Sequence, residues 1–141
     1  MPTPRQELRS LGVPDAMIDT VKIDGKRLVA MEATKEATQP WDRMNKTEAR
    51  YAAELEYMEQ AGEIVAWRFE PINFRLAKKT FYRPDFMVVR QHAPLEFVEI
   101  KGGFVRDDAA VKYKLARELF PWFEWKCLQK TKEGWRAILN G

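Results

Sequence analysis

From residue 45 onward the apolar positions of the chain switch between two periods, and the switches divide it into elements. Tyr51, Ala52, Leu55 and Met58 recur at helical spacing within Thr47 to Ala61, and Gly62 follows as a stop, so an amphipathic helix is expected. Ile64 to Phe69 and Ile72 to Leu76 are rich in β-branched and aromatic residues, with Pro71 between them, and read as a bent strand or as two strands. Pro84 to Val89 and Leu95 to Lys101 read as two further strands around the polar turn Arg90 to Pro94. Asp107 to Phe120 is expected to be a second helix, with Val111, Leu115 and Leu119 on one face and Pro121 just past its end. Phe123 to Leu128 reads as a central strand and Trp135 to Leu139 as another. Helix, strands, helix, strand is an α/β order, with a mixed central sheet flanked by helices.

The first 44 residues are patterned differently and read as an N-terminal arm, residues 1–44, before a core of residues 45–141. Thr3 with Gln6 makes a capping box, with Pro4 at the first helical position and Gly12 as a stop, and a second short helical turn is expected from Asp15. Val21 to Ile23 and Lys26 to Met31 flank Asp24-Gly25, a dipeptide suited to a two-residue hairpin turn. Met31 to Met44 is polar, holds Pro40, and reads as a linker.

Composition narrows the setting. The 141 residues carry 24 Lys plus Arg against 21 Asp plus Glu, a formal net charge of +3, and 45% apolar residues suffice for one core without metal or disulfide staples. Cys127 is a single cysteine, so no internal disulfide forms, and its place in an apolar strand predicts a small buried hydrophobe. No stretch approaches the roughly 20 apolar residues of a membrane span, and Met1 to Arg9 has no apolar signal core, so a cytoplasmic location is expected, the host's if the chain is phage-encoded.

Candidate chemistry lies where acids fall on faces that should be buried. Glu48, three and four residues before Tyr51 and Ala52, lies on the apolar side of its helix, although an acid in a first turn is also favoured by the helix dipole alone. On the strand ending at Lys101, alternation puts Glu99 and Lys101 on one face and Val98 and Ile100 on the other. If the strand after Pro84 neighbours it, Asp85 sits beside Glu99. Two carboxylates about 4 Å apart repel by roughly 4 kcal/mol at a partly buried site, so a cation is required. Lys101 supplies part of it, as a plain cross-strand salt bridge would, while converging acidic oxygens also suit a hard divalent ion.

Pro84-Asp85, then Glu99-Ile100-Lys101, preceded by a helical Glu48, resembles the PD-(D/E)xK nuclease superfamily. The run Tyr82-Arg83-Pro84-Asp85-Phe86, then Phe97-Val98-Glu99-Ile100-Lys101-Gly102, then Asp107-Asp108, Lys112, Arg117-Glu118 and Pro121, looks like the phage endonuclease I type of Holliday junction resolvase over residues 45–130. The longer N-terminus, Gly103-Phe104 after Lys101-Gly102, and the spacing within the second helix depart from that pattern. The resemblance implies a restriction-endonuclease-like core that hydrolyses phosphodiester bonds in branched DNA, acting as a homodimer. It also implies Mg²⁺ or Mn²⁺ bound by Asp85, Glu99 and the main-chain carbonyl of Ile100, with Glu48 completing the site and Lys101 orienting the attacking water. A restriction-type or flap nuclease on the same site, and a non-catalytic DNA-binding protein, are the rival readings.

The residues around this motif fit a nucleic-acid partner. From Trp67 to Arg90 six basic residues face two acidic ones, with Lys78, Lys79 and Arg83 best placed for phosphate contact. Lys46, Arg50, Lys112 and Lys114 complete the candidate DNA-binding set, and Gly102-Gly103 would allow close backbone approach. His92 lies in a turn and is expected at the surface, while Trp122, Trp125 and Trp135 are expected to build core or interface. No HExxH, CxxC, GxGxxG or Walker spacing is present.

Overall fold

The computed structural model describes residues 6, 9–10, 20–23, 26–33, 40–103 and 107–140. Its elements are β1 (Thr20–Ile23), β2 (Lys26–Ala33), α1 (Pro40–Arg43), α2 (Lys46–Gln60), β3 (Ala66–Phe69), β4 (Ile72–Ala77), β5 (Thr80–Tyr82), β6 (Phe86–Val89), β7 (Glu96–Lys101), α3 (Asp107–Leu119), β8 (Glu124–Thr131) and β9 (Gly134–Ile138). The strands form a 4-stranded sheet in the order β1-β2-β4-β5 and a 5-stranded sheet in the order β3-β6-β7-β8-β9. The larger sheet is mixed: β7 and β8 are parallel, joined through α3, while the other neighbouring pairs are antiparallel. The chain is thus an α/β protein with a mixed central sheet, as its periodicity predicts.

Each face of that sheet has its own cover. On one face Tyr51, Ala52 and Leu55 of α2 meet Phe69, Phe86, Val88, Val98 and Ile100. On the other, β4, β5 and α3 bring Phe74, Tyr82, Tyr113, Ala116 and Phe120 against Met87, Phe97, Phe123 and Cys127. Strand β6 is therefore covered on both sides, and its continuous apolar run Phe86-Met87-Val88 is wholly buried. Helix α2 starts with a full capping box: the Asn45 side chain accepts from the Glu48 N–H at 2.8 Å, and Glu48 Oε1 accepts from the Asn45 N–H at 3.0 Å. Past its end Gly62 takes a positive φ of 79°, the conformation that stops a helix at least cost.

Several expectations are corrected. Met31 to Met44 is not an unbroken linker, since β2 runs on to Ala33 and Pro40 to Arg43 is helical; β2 pairs with β4. The β1–β2 hairpin forms as expected, whereas its Asp24-Gly25 turn, most of the Thr3–Gly12 helix and the turn from Asp15 lie outside the described residues. Val111 is 62% exposed; the buried stripe of α3 is Tyr113, Ala116 and Phe120, with Leu115 and Leu119 flanking it. The larger ring of Tyr113 takes the inward position, and the stripe is rotated by about a third of a turn relative to the one expected. Trp122 is 60% exposed and belongs to neither cluster, while Trp125 and Trp135 do pack against them. Strand β5, three residues long, escaped the pattern altogether.

Candidate active site

The acids meet where β6 begins and β7 ends. The pairing of Phe86 with Val98 continues one residue outward to bring Asp85 beside Glu99, and Asp85 Oδ2 accepts from the Ile100 N–H at 2.7 Å. The Asp85 carbonyl in turn accepts from Glu70 N–H at 2.8 Å, at a corner where Glu70 takes a positive φ of 47° before Pro71. Arg43 pairs with Glu70 at 2.7 Å and lies over the Phe69 ring, so the corner that holds Asp85 is itself anchored. Asp85 is 8% exposed, an unusual burial for an acid.

Three side chains surround this pair. Lys101 Nζ lies 3.5 Å from Glu99 Oε1, on the shared face that alternation requires. The Tyr82 hydroxyl, on β5, donates to Glu99 Oε2 at 2.5 Å. Glu48 stands close enough to Asp85 to hydrogen-bond with it and to add its charge, while its N–H and Oε1 hold the start of α2. Glu48 thus combines a capping role with proximity to Asp85.

The electrostatics follow from burial and crowding. Desolvation, then the Glu99 charge, push the Asp85 carboxyl far above the ordinary carboxylate range, only partly countered by the Ile100 N–H. Desolvation also raises Glu99, against the lowering effect of the Tyr82 hydroxyl, Lys101 and Asp85. Both carboxyls are thus pushed up by burial, and the pair titrates as one coupled unit that holds a proton more readily than two free carboxyls. Burial and the neighbouring Glu99 raise Tyr82 as well, so its hydroxyl stays a donor. Cys127, in register with Glu99 on β8, is buried with its thiol pushed up to about 11, an inert hydrophobe as expected.

The donor set tests the fit of a metal. Asp85 and Glu99 present hard oxygens, and their mutual repulsion is what a cation between them would relieve. Among the described residues no group of three or more Asp, Glu, His or Cys is placed to hold a metal ion, so Glu48 does not form a ready-made ligand set with the Asp85–Glu99 pair. A pair of carboxylates suits Mg²⁺ or Mn²⁺, ions held through one or two carboxylates with several waters retained. Ile100 reaches Asp85 through its N–H.

The candidate DNA-binding residues differ in exposure. Lys46 and Arg50 are exposed on α2, Lys78 and Lys79 form the exposed turn between β4 and β5, and Arg83 is half-buried beside the Pro84-Asp85 step. Lys114 is exposed on α3 and Lys112 half-buried. His92 is an exposed turn residue with a φ of 56°. A Cβ on Gly102 would lie 3.2 Å from Thr47 Oγ1, a tight contact that the Thr47 side chain would have to relieve, whereas one on Gly103 would meet open space.

One site residue, Tyr82, and one buried acid outside the site, Glu96, escaped the sequence. Tyr82 reaches Glu99 only because β5 pairs back onto β4, and no local signal marks so short a strand. Glu96 is 3% exposed on the opposite face of β7, bonded to Lys126 at 2.7 Å and facing Arg90 at 3.5 Å. Its alternation with Val98 and Ile100 was the available clue. No family model matches the chain, nor does any curated protein or solved structure. No described helix is long and apolar enough to cross a membrane.

Proposed function

We propose that this protein is a metal-dependent endonuclease of the PD-(D/E)xK type, acting on branched DNA as a homodimer in the manner of a Holliday junction resolvase. The observation that carries the proposal is the convergence of buried Asp85 and half-buried Glu99 from neighbouring strands, with Lys101 two residues on along the same face. A merely structural salt bridge needs one acid and one base; the second buried acid, costly to ionise, suits a divalent cation. Mg²⁺ or Mn²⁺ held by Asp85 and Glu99 would supply a Lewis acid and a water of lowered pKa.

The chain's own residues do the rest. Tyr82 fixes the Glu99 carboxylate, and the Ile100 N–H fixes that of Asp85, so both oxygen pairs are oriented before any ligand arrives. Lys101 places a positive charge where the scissile phosphate gains negative charge, and orients the attacking water. Glu48, beside Asp85 in the first turn of α2, would complete the site toward a second metal position or its water. Lys78, Lys79, Arg83, Lys46, Arg50, Lys112 and Lys114 neutralise flanking phosphates. Two-fold pairing of subunits would deliver two cuts to a symmetric junction.

Incubation with a labelled four-way junction, a flap and a linear duplex tests this directly. Mg²⁺-dependent cutting of the junction, blocked by EDTA and lost in Lys101→Ala, is expected. Equal cutting of linear duplex would overturn the branched-DNA assignment, and undiminished cutting by Lys101→Ala would overturn the site.

A further inference from the structure

The C-terminal end of β7 is shared with the β8–β9 hairpin, because β8 runs parallel to β7. Register places Lys101 opposite Gln129, and Gln129 opposite Arg136, so these three residues form one row across adjacent strands. In-register residues point to the same face, here the face of Glu99. At about 4.8 Å between strands, Arg136 stands about 10 Å from Lys101.

The row is physically connected and the hairpin is held at both sides. Arg136 donates to Gln129 Oε1, and Gln129 Nε2 donates to the Gly103 carbonyl at 2.8 Å, directly after the strand that carries Lys101. On the opposite face Trp135 packs on Tyr51 with ring centroids 5.2 Å apart, and its Nε1 donates to Glu54 at 2.7 Å. Thr131, Lys132, Glu133, Trp135 and Arg136 line an open cleft of about 550 Å³. Lys132 and Arg136 are exposed, and from Gln129 to Arg136 three basic residues face the single acid Glu133.

We propose that the β8–β9 hairpin is a phosphate clamp, in which Arg136 and Lys132 grip the DNA backbone on one flank of the reactive site. The inference rests on the nuclease reading for the location of that site. An axial rise of 3.4 Å per nucleotide makes the 10 Å from Lys101 to Arg136 about three nucleotides, a natural spacing for a flanking contact. Arg136 brings a planar fork suited to phosphate oxygens, and the Gln129 bond to Gly103 transmits its position to the strand exit. Contacts of this kind set register on the duplex and carry no sequence information.

Fluorescence anisotropy with a labelled four-way junction in EDTA, repeated over a series of salt concentrations, tests the clamp without cleavage. Each neutralised phosphate contributes about 0.9 to the slope of log affinity against log salt, so Arg136→Ala with Lys132→Ala should lower that slope by about 2 and weaken binding about tenfold. Arg136→Lys with Lys132→Arg should restore the slope. Should the alanine pair lose cooperative melting, Lys132→Ala alone at the hairpin tip is read for a decrease of about 1. An unchanged slope, or no DNA binding by the wild type, overturns the clamp. A wild type that binds with this hairpin dependence but never cleaves supports the clamp and overturns the nuclease reading; one that cleaves while the slope is unchanged does the reverse.

Discussion

Asp85→Asn is expected to lower Mg²⁺-dependent cleavage by at least about a hundredfold while making the metal-free protein more stable. The two effects share one cause. Burial and Glu99 raise Asp85 far above its value near 4 in the unfolded chain, so the native state holds a proton that the unfolded state releases. Stability from this group is fully present below about pH 4 and is lost as pH rises through the raised native value. The melting temperature of the wild type in EDTA should therefore fall between about pH 5 and pH 9. Asn keeps the shape and the acceptor for the Ile100 N–H but has no charge to bury. Its stability should exceed the wild type's at pH 8, with a flatter pH profile. Thermal unfolding across pH and a single-turnover cleavage assay check both halves. A destabilised variant would mean that the Asp85 charge holds the fold together, and an active one that it holds no metal.

Phe74→Ala should be the most damaging single core change. Phe74 is fully buried, with ring centroids at 4.7 Å from Phe120, 5.1 Å from Phe97 and 5.3 Å from Trp125. It joins three elements: β4 of the smaller sheet, β7 of the larger, and the end of α3. Removing the ring forfeits its burial and leaves a cavity that aromatic neighbours cannot close, costing about 3–5 kcal/mol. For a domain of this length that corresponds to a melting temperature about 10 °C lower, measurable by calorimetry or by a reduced urea midpoint with an unchanged slope. A loss under about 1 kcal/mol would show that the two sheets are not packed through this ring.

The parts of the site that were legible in the sequence follow a local rule. Glu99 and Lys101 share a face because side chains alternate, and Glu48 belongs to a first turn because Asn45 caps it. Asp85 was legible from its place beside Pro84 at a strand start, and its buried contact with the β7 backbone realises that expectation. What was not legible depends on distant pairing. Tyr82 enters the site through β5, whose three residues carry no period, and Glu96 is buried because Lys126, thirty positions later, reaches it. Helix α3 shows the limit of periodicity, since Val111-Leu115-Leu119 and Tyr113-Ala116-Phe120 are both apolar stripes at helical spacing. Packing against Phe74 and Trp125 selects the second. The hairpin row Lys101-Gln129-Arg136 likewise exists only once β7 and β8 are set parallel and in register.

The charge of the chain takes on a different meaning once located. A formal +3 is small for a DNA-binding protein, but Glu48, Asp85 and Glu99 are gathered at one point of the sheet end. Bound metal would offset these acids, leaving the flanking lysines and arginines to face phosphate.

Titration of the metal-free protein with Mn²⁺, followed by electron paramagnetic resonance, is the most direct test of the central claim. Saturable binding by the wild type, displaced by excess Mg²⁺ and lost in Asp85→Asn, is the predicted result. A wild type that leaves all Mn²⁺ free, or an Asp85→Asn variant that binds it equally well, would contradict the account.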